Sequence, residues 1–105
     1  MTTHIYNASN DFAIENPSIC IPRVFDDIHV DFISNIFQNQ LKLGKLNKIN
    51  VIRNHNDKKF KKVFIHFDVW YDNDISNNIK KKLINGDIVK VVYGFPWFWR
   101  CAMSR

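Results

Sequence analysis

One glutamate, three glycines, three prolines and two cysteines are all that this 105-residue chain has of those residue types. Each shortage closes off a class of protein. Cys20 and Cys101 make at most one pair, which is not the framework of a small disulfide-stapled domain, so a reducing compartment is the simpler setting. No phosphate-cradling glycine pattern can be assembled from Gly44, Gly86 and Gly94. No run approaches the roughly 18 apolar residues of a membrane-spanning helix, and the first residues lack the basic start and apolar stretch of a secretory signal. The expectation is a soluble intracellular protein without a membrane partner. His4, His29, His55 and His66 fall at no metal-ligand spacing, and neither cysteine stands in a motif that would activate it as a nucleophile. Neither an enzyme, nor a metal site, nor a cofactor is expected.

What is abundant is basic charge, apolar bulk and a biased alphabet. Fifteen Lys and Arg against ten Asp and Glu give a net charge of +5, which favours an anionic partner. An apolar fraction of 46% and an aromatic fraction of 14% are globular values, and the length suits one domain. Ile, Asn and Lys supply 38 of the 105 residues, a bias towards A- and T-rich codons that fits an AT-rich genome and says nothing of activity.

Residues 1–17 show no sustained period and read as an arm of low order. Ile19 and Ile21 flank Cys20 in a short first strand that Pro22 is expected to end. From Asp27 to about Gln40, Val30, Ile33, Ile36, Phe37 and Leu41 recur at helical spacing, with Asp26, Asp27 and Asp31 placed to cap the start. Leu46, Ile49 and Val51 predict a second strand. Asn54 to Asp57 is turn chemistry leading into a third strand through Lys58, Lys59, Lys61 and Lys62. Along that strand the pleat directs Val63, Ile65 and Phe67 to a core and Lys62, Phe64 and His66 to the opposite face. Asp72, Asn73 and Asp74 open a second helix that ends at Asn85-Gly86, and Ile88 to Tyr93 forms a last strand.

Strand, helix, strand, strand, helix, strand predicts an α+β, ferredoxin-like βαββαβ fold: a four-stranded antiparallel sheet with both helices on one face and the other face open. The domain is expected to span 18–93, with 94–105 as an aromatic extension. Ile33-Ser34-Asn35-Ile36-Phe37 followed by Leu43-Gly44-Lys45-Leu46, and Leu83-Ile84-Asn85-Gly86, resemble the helix-one signature and the helix-two end of the RNA recognition motif. Ile21-Pro22-Arg23-Val24-Phe25 and Pro96-Trp97-Phe98-Trp99 are similar to short proteins of this type in large nucleocytoplasmic DNA viruses, which would place the chain in host cytoplasm, viral factory or virion.

That resemblance implies RNA binding through base-stacking rings on the first and third strands. Carried onto this chain, the three stacking positions fall on Cys20, Lys62 and Phe64, and only Phe64 has a ring. Lysines must then supply much of the affinity, which predicts weak base preference and strong salt dependence.

Several residues have two readings. Lys58, Lys59, Lys61 and Lys62 are either phosphate contacts or a solvated, charge-protected edge. Arg23 either binds phosphate or pairs with Asp26 or Asp27, and His66 is a nucleotide contact or a half-exposed polar filler. Lys48, Asn50 and Lys90 project towards the face of Phe64 if the alternation holds. The cations Lys80, Lys81 and Lys82 are sufficiently explained by the C-terminal end of helix two.

Tyr93 to Arg100 holds five aromatics in eight residues. Left bare it is a liability, so it is expected to fold back over the sheet and lend Trp97, Trp99 and Arg100 to the binding face, or else to pack on another subunit. The leading expectation is a nucleic-acid-binding module for single-stranded RNA or DNA. The rival is a protein-interaction or homodimerisation module using the aromatic segment.

Overall fold

The computed structural model describes residues 15–104, so most of the arm expected over 1–17 lies outside the described residues. Five strands and two helical segments follow one another: β1 (Ile19–Phe25), α1 (Val30–Ser34) continuing as a π-helical turn over Asn35–Gln40, β2 (Gly44–Asn54), β3 (Asp57–Trp70), α2 (Asp74–Ile84), β4 (Val89–Gly94) and β5 (Trp97–Met103). The strands form one antiparallel sheet in the order β2-β3-β1-β5-β4.

This corrects the four-stranded ferredoxin-like expectation. The segment expected as an extension beyond Tyr93 is β5, and it takes the place beside β1, leaving β4 at the outer edge. The reason lies in alternation that the density of aromatics hides. Trp99 and Cys101 are buried against the helices, while Phe98 and Arg100, which alternate with them, remain exposed, a period of two that a strand satisfies.

The core lies between the sheet and the helices. Ile19, Ile21, Val24, Val63, Ile65 and Phe67 meet Ile33, Ile36, Phe37 and Leu83 there, with Val91, Trp99 and Cys101 completing it. Helix α1 starts later than its acidic residues suggest: His29 is the N-cap and its Nδ1 accepts from the Asp31 amide at 3.1 Å. Asp26 instead takes Nε of Arg53 at 2.7 Å. The π turn shows in the Leu41 amide reaching the Ile36 carbonyl at 2.9 Å. Helix α2 begins at Asn73, whose Oδ1 accepts from the Ser76 amide at 2.8 Å, and closes with Gly86 at φ +93°, a left-handed cap that glycine adopts without cost.

Two tight approaches fix the layers. Gly44 lies so close to the Val69 carbonyl and the Trp70 backbone that a Cβ could not fit. Buried Ser76 donates from Oγ to the Leu43 carbonyl at 2.7 Å, tying the start of α2 to the start of β2. Asn16 and Pro17, the last residues of the expected arm, are bonded to Trp70: Asn16 Oδ1 accepts from its amide at 3.2 Å and the Pro17 carbonyl from its indole N–H at 2.9 Å.

Pro22 does not end β1. Pairing passes from Ile21↔Val63 to Val24↔Lys61, three steps on β1 for two on β3, so one residue is bulged around Pro22 and Arg23. The bulge reverses the pleat. Val24 enters the core and Phe25 turns to the open face, the opposite of what unbroken alternation from Ile21 would give.

Candidate nucleic-acid interface

The face away from the helices carries rows of side chains set by strand register. Asn50, Phe64 and Cys20 are cross-strand neighbours, and Ala102 lies beyond Cys20. Ile52 pairs with Lys62, Lys48 with His66, and Lys90 with Arg100. No described element covers this row: Lys62 is exposed and Phe64 is half-buried.

His66 is held at both ring nitrogens. Nδ1 lies 2.8 Å from Ser18 Oγ and Nε2 lies 3.1 Å from Asn50 Nδ2. Burial raises the Cys20 thiol, partly offset by the nearby Lys62 ammonium, so Cys20 presents a neutral thiol where the resemblance implied a ring.

Rings and cations meet towards the end of β1. Phe25 stacks on Phe60 with centroids 5.0 Å apart, and the Arg23 guanidinium lies 4.0 Å from the Phe60 centroid. Trp97 stands edge-on to Phe25 at 5.7 Å. Across the gap, Lys90 Nζ is 5.0 Å and the Arg100 guanidinium 5.7 Å from the Phe98 centroid. Between these groups runs a cleft of about 430 Å³ whose walls include Pro22, Phe25, Phe60, Trp97 and Phe98.

The expected site residues fall into four sets. Arg23, Lys48, Asn50, Lys62, Phe64, His66, Lys90 and Arg100 share the open face or its cleft. Lys58 and Lys59 are exposed on the far arm of the β2–β3 hairpin, inside a strand and not a loop. Lys61 and Trp99 do not belong with them. Lys61 follows the core phase of the pleat, is 4% exposed, and donates from Nζ to the carbonyls of Asp26 at 3.0 Å and Ile28 at 2.5 Å. Trp99, 2% exposed, is stacked against Tyr93 and Phe37 in the core. Trp97 does stand out, 57% exposed, but within the plane of the sheet and not folded over it.

Three rings were missed. Phe60 lies in the same alternation as Lys62, Phe64 and His66, and Phe98 alternates with Arg100, so both were legible in principle. Phe25 was not, because its orientation depends on the bulge. Arg23 pairs with neither Asp26 nor Asp27, since Arg53 already holds Asp26.

Among the described residues no helix is long and apolar enough to cross a membrane, and no group of three or more His, Cys, Asp or Glu side chains is placed to hold a metal. Comparison of the chain with protein-family models, with curated proteins and with solved structures finds no match.

Proposed function

We propose that this protein binds single-stranded nucleic acid on the open face of its sheet, with weak base preference. The observation that carries the reading is the pairing of rings with cations on one face: Arg23 against Phe60, Lys90 and Arg100 against Phe98, and, further along β3, Phe64 beside Lys62. Exposed rings offer a stacking surface to any base, and cations beside them take the phosphates that such a base brings. Duplex is a poorer fit, because its bases are already stacked on one another. The two unbridged cysteines suit a reducing intracellular setting.

The test is a fluorescence titration of single- and double-stranded RNA and DNA at two salt concentrations, for the natural chain and for Phe64→Ala. Tighter binding of single strands and a loss of about fivefold or more in Phe64→Ala are expected, from the roughly 1–3 kcal/mol that a stacked base contributes. Equal affinities of the two proteins for every ligand would sink the reading.

A second reading, self-association, draws on the turn between β4 and β5, where Phe95 is 92% exposed beside Trp97 and Val92 on the outer edge of the sheet. Light scattering separates the two. A dimer that Phe95→Ser makes monomeric assigns this turn to an interface.

A further inference from the structure

The gap between β1 and β5 has a cause in the sequence. The two strands pair at Ile19↔Met103 and Cys20↔Ala102, and continuing that register would set Pro22 opposite Arg100. Pro22 has no N–H to give, and the bulge at Pro22 and Arg23 bends β1 aside. The strands therefore part, and the cleft lies where they separate. Its volume of about 430 Å³ falls within the range of small-ligand sites.

Its lining selects a ligand class. Rings and two prolines form the walls, two guanidiniums belong to it, and no carboxylate does. Neither Arg23 nor Arg100 has an ion-pair partner among the described residues. Arg23 lies over the Phe60 ring, an arrangement that leaves the N–H groups on the guanidinium edge free for an anion. A flat aromatic group joined to an anion answers the rings and the guanidiniums at once. An apolar peptide side chain would leave both guanidiniums unanswered.

We infer that this cleft is a pocket for one unstacked nucleotide, its base held among Phe60, Trp97 and Phe98 and its phosphate by Arg23 and Arg100. The inference rests on the single-strand reading above and adds a fixed point to it. The strand is pinned where one base leaves the sheet surface for the gap.

Titration with nucleoside 5′-monophosphates, followed by backbone amide shifts in NMR and by tryptophan fluorescence, tests the pocket. Monophosphates are expected to move the amides of Arg23, Phe60 and Trp97 to Arg100, with inorganic phosphate and the bare nucleosides each at least about tenfold weaker. Phe98→Ser and Arg100→Gln, both at exposed positions, should each weaken the mononucleotide about fivefold or more, while Lys82→Glu on α2 leaves it within about twofold. An oligonucleotide that shifts Asn50 and Phe64 while the cleft amides stay still overturns the pocket and leaves the single-strand reading standing. Absence of binding by every nucleic acid overturns both. Cleft amides that respond to protein concentration and not to nucleotide overturn the pocket in favour of self-association.

Discussion

Lys61 and Lys62 are neighbours with opposite duties. One pleat step separates an ammonium closed into the core, where it joins the turn before α1 to β3, from an ammonium in solvent beside Phe64. Lys61→Met keeps the stem but removes the donor from two carbonyls, and is expected to cost about 1–3 kcal/mol in urea unfolding while leaving single-strand affinity of the folded protein within about twofold. Lys62→Met should do the reverse, with unchanged stability and weaker binding. Cys101 makes a second residue-scale case. Burial, with Cys20 nearby, pushes its thiol from the ordinary 9.0 up to about 12. As pH rises, the unfolded thiol ionises first, so the contribution of Cys101 is complete below 9.0 and is lost on the way to about 12. Cys101→Val should therefore flatten the decline of the urea midpoint between about pH 9 and 11, measured as a slope so that any packing change drops out.

At the scale of elements, β5 decides whether this chain folds. It brings Trp99 and Cys101 to the core and closes the side of β1 not covered by β3. Trp99→Ala is expected to cost about 3–5 kcal/mol, whereas Trp97→Ala costs under about 1 kcal/mol, a contrast that denaturation of the two variants measures directly. Helices α1 and α2, the β2–β3 hairpin and the outward set Lys62, Phe64 and His66 were legible in the sequence because their periods are long and their ends carry turn chemistry. Strand β5 was not, because five aromatics in eight residues read as uniform apolar bulk and mask the alternation of Trp99 and Cys101 with Phe98 and Arg100. Pro22 was misread for a related reason: a proline in a strand signals either an end or a bulge, and only the register against β3 distinguishes them. The candidate site inherited both errors. It gained Trp99 wrongly and lost Phe25, while Lys61 was included because a run of four lysines hides that its third member falls in the core phase of the pleat.

Taken whole, the molecule is elongated, 53 by 32 by 23 Å, with a long β2–β3 hairpin carrying Lys58 and Lys59 away from the cleft. With a net charge of +5, phosphate contacts are expected to govern the salt response of the titration proposed above. A strand that engages about four cations gives a slope near −2.8 in log affinity against log salt, from roughly −0.7 for each phosphate neutralised. The cleft itself lies beyond a very short seam, two residue pairs between the start of β1 and the end of β5. From Ala102 to Trp97, β5 runs about 17 Å past that seam, at roughly 3.3 Å per residue, held on its other side by β4 and from beneath by Trp99 and Cys101 in the core. The far wall of the cleft is therefore braced from behind. The width of that mouth is thus fixed by residues facing away from it: a substitution at Trp99 or Cys101, or along β4, reseats the wall that carries Trp97 and Phe98.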